Sequence, residues 1–213
     1  MRKDAEERKN QILDAADKLF AVKGFDGTST SDILEDVGIA RGTLYHHFKS
    51  KEDIMDALID RYSDRLLNDA LEVAKNKDIP VLDRIVQVVM SMNLSGGSSE
   101  EIMDHIHRPQ NALMHQKIER VIIQGVTPIL AEIILEGVEL GMFNTPFPYE
   151  SMEMVVTYAN TIFDDDMIEM TNEERGRRMH AFIFNVERLL GAKPGSLMGT
   201  LRMFGMEEES KKG

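Results

Sequence analysis

The sequence predicts an all-α protein in which three helices within the first 50 residues are joined to a larger helical body. Three observations carry this. Apolar residues recur at the 3.6-residue period of a helix along almost the whole chain. Capping serines and threonines and stop glycines divide those runs at helix-length intervals. No segment alternates apolar and polar residues as a half-buried strand does.

Taken in order, Ile12, Ala15, Ala16, Leu19 and Phe20 form one apolar stripe, and Gly24 ends the first helix. TSTSDILEDVG reads as a short helix capped by Thr28, with Ile33, Leu34 and Val37 facing inward and Gly38 making the turn. IARGTLYHHF is a second short helix that buries Leu44 and Phe48. Ser50, with Asp53 three residues on, opens a long fourth helix through about Lys75. A helix over 79–94 follows from Leu82, Ile85, Val86, Val89 and Met92, then an SGGSS loop, and Ser98 with Glu101 forms a capping box. Residues 110–140 are helical and interrupted at Thr127-Pro128, which is either a kink or the start of a new helix. Helices near 149–164 and 172–191 complete the body, the latter opened by a capping box of Thr171 and Glu174. There is no internal repeat, and residues 205–213 read as a flexible tail.

Composition sets the limits. Hydrophobic residues make up 42% and charged residues 29% of 213, enough for a core in a water-exposed protein. No run of 18 apolar residues and no signal peptide is visible, so no membrane partner is expected and the cytoplasm is the expected location. The absence of cysteine excludes disulfides and thiolate metal sites. The net charge of −12 is unevenly placed: residues 1–51 hold nine Lys/Arg and nine Asp/Glu, and the remainder carries the whole excess of acid. An acidic body repels phosphate, which confines any contact with DNA to one small surface.

Two short helices joined by a glycine turn after a longer one describe a helix-turn-helix, whose second helix enters the major groove. Here that helix runs from about Arg41 to Phe48. With Leu44 and Phe48 turned to the core, Arg41, Gly42, Thr43, Tyr45, His46 and His47 are left outside. Arginine can bridge two acceptors of guanine, and Gly42 allows close approach to a thymine methyl. Thr43, Tyr45 and His47 are suited to phosphate oxygens, and Lys51 adds charge at a helix start.

The string TSTSDILEDVGIARGTLYHHFKSKEDIMDALI resembles the DNA-binding head of TetR (tetracycline repressor) family regulators, over roughly residues 8–60. Position by position, the resemblance implies phosphate contacts from Thr30, Thr43, Tyr45, His47 and Lys51, and base reading by Arg41, Gly42, Tyr45 and His46; Thr28 and Lys49 complete the candidate DNA-binding set. Ala40 departs from the pattern, since a capping serine is common there, and the recognition helix loses a cap worth ~1 kcal/mol. The resemblance also implies three divisions: a DNA-binding domain over 1–50, a ligand-binding and dimerisation domain over 51–204, and the tail. The function implied is a ligand-responsive transcriptional regulator, a repressor that binds a palindromic operator on double-stranded DNA as a homodimer and is released by a small, largely apolar effector. The fourth helix, joining head to body, is the expected lever. No cofactor or resident metal is implied, and no catalytic constellation of nucleophile, base and orienting partner is visible.

The family's last two helices pair with a partner's. Met152, Val155, Val156, Ala159, Ile162 and Phe163 on one helix, and Phe182, Phe184, Val186 and Leu189 on the other, are the expected interface. Fifteen methionines suit a pocket that accepts varied apolar molecules, or ordinary core filling. The expected ligand wall is Met90, Met103, Ile106, Met114, Val121, Phe143 and Tyr158, with His107, Asn111 and His115 as polar anchors. A metal reading of the His105/His107/His115 region competes with an anionic ligand, although His105 and His107 point about 200° apart on a helix. The alternative function is a small-molecule or metal-binding helical protein without operator activity.

Overall fold

A computed structural model describes residues 2–92, 111–163, 168 and 170–200. Among these residues the chain forms eight helices and no strand: α1 (Arg2–Gly27), α2 (Thr30–Val37), α3 (Arg41–His47), α4 (Lys51–Lys75), α5 (Val81–Met92), α6 (Ala112–Glu139), α7 (Pro148–Ile162) and α8 (Asn172–Leu190). The capping box read at Ser98 and Glu101 and the tail over 205–213 lie outside the described residues.

Packing divides the chain into two compact units, one of residues 1–65 with 94–121 and the other of 66–93 with 122–213. This division falls elsewhere than the motif boundary at residue 50. Both α4 and α6 begin in the first unit and end in the second.

The first unit contains the motif. Gly24 interrupts α1 with φ 76° and ψ 164°, a conformation open to glycine and strained for any other residue. The cap of α2 is Ser29 and not Thr28. Ser29 Oγ accepts from the Asp32 N–H at 3.1 Å, and the Ser29 N–H donates to Asp32 Oδ2 at 2.7 Å. Asp32 also accepts from Lys23 Nζ at 2.6 Å; that ammonium, followed by Ser29, holds the carboxyl well below the usual carboxylate range. Gly38, left-handed at φ 69°, ends α2 with its N–H on the Leu34 carbonyl. As expected, Ala40 starts α3 without a side-chain cap. Ser50 Oγ accepts from the Asp53 N–H at 3.1 Å, and Asp53 accepts from the Lys49 N–H at 2.8 Å, which fixes the α3–α4 junction. Ile12, Ala16, Phe20, Ile33, Leu44, Phe48, Ile54 and Leu58 are buried. At ~1.5–3 kcal/mol per large side chain, their burial holds these short helices where local propensity would not.

In the second unit, Ala70 and Ala74 of α4, Val81 and Val88 of α5, Ile129, Ile133 and Ile134 of α6, and Ile183 and Leu190 of α8 belong to one core. Arg84, 1% exposed, threads the joint between α4 and α5. Its guanidinium donates to the Ala74 and Ile79 carbonyls, each at 3.0 Å, and to Glu136. Glu136 also accepts from Lys77; Arg84 first and Lys77 second hold its carboxyl down to about 2. The open question at Pro128 resolves to one continuous helix, with Pro128 inside α6 and the Thr127 hydroxyl donating to the Ile123 carbonyl at 2.6 Å. By length and composition α6 is apolar enough to cross a membrane, yet Val126, Ile129, Leu130, Ile133 and Ile134 on it are buried in the unit's own core. Pro148 opens α7 at its first turn. The Thr171–Glu174 capping box opens α8 as expected, and left-handed Gly191 closes it.

Candidate nucleic-acid interface

Buried Leu44 and Phe48 fix the orientation of α3, so its opposite face is determined by the helical period alone. Arg41, Gly42, Tyr45 and His46 are exposed there, and Thr43 and His47 are half-buried. A side chain added at Gly42 would meet nothing within 4 Å, which leaves open space above the helix start.

These side chains form a small network. The Arg41 guanidinium lies 5.5 Å from the centroid of the Tyr45 ring. Thr30, in the first turn of α2, and then Arg41 hydrogen-bond the Tyr45 phenol and pull its ionisation below the usual tyrosine range. His46 and His47 stand edge to face at 5.3 Å, and His47 lies 6.5 Å from the Phe48 ring. The set presents one permanent cation, two imidazoles and several hydroxyls on a helix start, a composition suited to base edges flanked by phosphates.

Two expected members behave differently. Thr28 is 1% exposed, and its hydroxyl donates to the Gly24 carbonyl at 2.8 Å with the Leu19 carbonyl at 3.2 Å. It therefore braces the end of α1 and has no hydroxyl to present to a phosphate. Lys51 Nζ donates to the Phe25 carbonyl at 2.6 Å and lies 4.2 Å from the Phe25 ring centroid. Its ammonium is engaged with the protein, while Lys49 remains exposed. The Lys51 contact has no local signal in the sequence, since Lys51 and Phe25 are 26 residues apart.

Of the expected ligand wall, Met103, Ile106 and His107 lie outside the described residues, as does His105. Met90 is exposed. Met114 is buried in the first unit, where His115 and Val121 are half-buried. Asn111 is not an open anchor: its amide binds the Phe25 N–H and the Phe20 carbonyl. Phe143 is buried in the second unit's core. Tyr158, 45% exposed, stacks on Phe182 at 5.5 Å. An apolar groove of about 230 Å³ does lie in the second unit, lined by Leu67, Leu71, Gly125, Pro128, Ile129 and Glu132. None of these was read as wall. Among the described residues no three His, Asp or Glu side chains come together as a metal site.

The expected interface splits in two. Met152 and Val186 are buried in the chain's own core and are not available to a partner. Val155, Val156, Ala159, Ile162, Phe163, Phe182 and Leu189 are half-buried. Phe184 is exposed, together with Met154 and Tyr158, two residues not counted among that face.

Two family descriptions match the chain: bacterial regulatory proteins of the tetR family over residues 12–58, and a tetracyclin repressor-like C-terminal domain over residues 95–184. The fatty acid metabolism regulator protein of Bacillus subtilis is 32% identical over 136 residues, covering 62% of this chain and 68% of that protein. The transcriptional repressor KstR2 of Mycobacterium tuberculosis is 30% identical over 147 residues, 64% of this chain and 69% of its own. Among solved structures, SmeT, the repressor of the Stenotrophomonas maltophilia multidrug efflux pump SmeDEF, superposes with a TM-score of 0.60 at 21% identity, covering 89% of this chain and 95% of SmeT. At that identity the likeness is one of fold.

Proposed function

The chain belongs to the tetR family of bacterial regulatory proteins, and from that premise we propose that it is a ligand-responsive repressor that reads a palindromic operator as a homodimer. The observation that carries the reading is the α3 surface, where Arg41, Gly42, Tyr45 and His46 stand exposed on a helix whose other side is locked by Leu44 and Phe48. Arg41 and Gly42 read bases; Thr30, Thr43, Tyr45 and His47 bind the flanking phosphates, joined by Lys49 and by the N–H groups at the start of α4.

Dimerisation is assigned to the outer sides of α7 and α8. Met154 and Tyr158, one turn apart on α7, are 63% and 45% exposed, and Phe184 on α8 is 42% exposed, large apolar side chains that a second copy would remove from water. The effector is a small, largely apolar molecule. The wholly aliphatic side of the groove between Leu67, Leu71 and Ile129 supports that class, and so does the relative named for fatty acid metabolism.

Selection from a randomised duplex library tests the reading. The expected product is a palindrome whose half-sites lie about one helical turn, ~34 Å, apart. Enrichment of no sequence, or of an isolated half-site, overturns it.

A further inference from the structure

The break at Gly24 turns the next peptide out of the helical ladder, and the Phe25 N–H is accepted by Asn111 Oδ1 at 2.9 Å. The same amide donates through Nδ2 to the Phe20 carbonyl at 3.3 Å, so both of its ends are committed to the last turns of α1. From the other side, Lys51 Nζ donates to the Phe25 carbonyl at 2.6 Å. The Phe25 ring, beneath that ammonium, meets Phe20 edge to face at 5.2 Å. Asn111 is 2% exposed and Phe25 6%, so neither hydrogen bond has water as a ready substitute.

One residue's main chain thus ties three elements. Asn111 stands immediately before α6, Phe25 lies in the last turn of α1, and Lys51 is the first residue of α4, four positions after the end of α3. We propose that Asn111 is a positioning residue for DNA reading: by holding the Phe25 main chain it fixes Lys51 and the α3–α4 junction, while touching no DNA itself. The side chain suits this role because asparagine supplies an acceptor and a donor from one planar group without charge. Aspartate keeps the acceptor for the Phe25 N–H and lacks the donor; alanine lacks both.

The inference rests on the operator-binding reading, and the test separates the two. The probe is a duplex selected by the wild-type protein, and the measurements are its affinity across a salt series and the exchange rate of the Phe25 amide. Asn111→Ala is expected to speed exchange at Phe25 and to weaken the duplex by about tenfold, roughly the effect of one orphaned buried hydrogen bond. The salt slope and base preference stay as in the wild type, because no phosphate or base contact is lost. Asn111→Asp is expected to keep the Phe25 amide slow and to retain more affinity than Asn111→Ala, and it serves alone should the alanine variant not fold. Wild-type affinity in Asn111→Ala, a changed salt slope, or fast Phe25 exchange with full affinity in Asn111→Asp overturns the inference. A wild-type protein that selects no duplex overturns the operator reading instead.

Discussion

Arg41 and Tyr45 lie one turn apart on α3, and their contact decides what each has left for a duplex. The guanidinium at 5.5 Å from the ring keeps its planar donors available at the helix start, where a guanine edge would come. Replacing Arg41 with alanine should cost ~1–3 kcal/mol of operator binding and relax preference at one base pair per half-site. Titration of the selected duplex against its single-base variants checks this; an equal loss on every variant would make Arg41 a phosphate ligand instead. The outward face of α3 was legible because Leu44 and Phe48 fix its rotation and every other position follows from the period. Thr28 and Lys51 were not legible. Their partners, the Gly24 and Phe25 carbonyls, are set by how α1 breaks, and a residue string does not say where a hydroxyl or ammonium turns once that backbone is in place.

At the scale of elements, the caps that were readable are those in which the hydroxyl and the acid stand three apart with no competing hydroxyl beside them, as at Thr171 and Glu174. At TSTSD four hydroxyls are adjacent, and spacing to Asp32 favours Ser29, which the extended backbone at φ −100° and ψ 160° confirms. Pro128 stayed ambiguous because Thr-Pro serves equally as a cap with its first residue or as a kink; burial on both sides of it, at Val126 and Leu130, keeps α6 continuous. The missing cap at Ala40 has a measurable consequence. Its backbone is already extended, φ −70° and ψ 148°, so a serine there needs no rearrangement to bond the second or third N–H of α3. Ala40→Ser should stabilise the protein by ~1 kcal/mol, a rise of about 2–4 °C in Tm. A thermal melt decides it, with Ser29→Ala expected to fall by a similar amount. An unchanged Tm in Ala40→Ser would mean that the α3 N–H groups already have partners of equal strength.

Charge and assembly belong to the whole molecule. With zero formal charge in residues 1–51 and −12 in the rest, a single copy gains little from the phosphate field and must rely on its few positioned contacts. Two copies on a palindrome gain through effective concentration without any new contact per copy. Under the proposed homodimer, operator binding would depend on the face that joins the two copies as much as on α3. Sequence pattern located α7 and α8 but not which apolar residues line the core, because such residues occur on more than one side of each and only packing shows that Met152 and Val186 are buried while Met154 and Tyr158 are exposed. Phe184 tests the proposed face, since it is 42% exposed and Arg188 lies over its ring at 3.3 Å. Phe184→Asp places a charge in the interface without opening the chain's own core. It should leave Tm little changed in the isolated chain, convert the protein to monomer in sedimentation, and weaken the palindromic duplex by ~10²-fold or more. A half-site duplex should be bound equally by the variant and by the wild type, because each copy's α3 is untouched. A variant that stays dimeric with full affinity would place the interface on another surface.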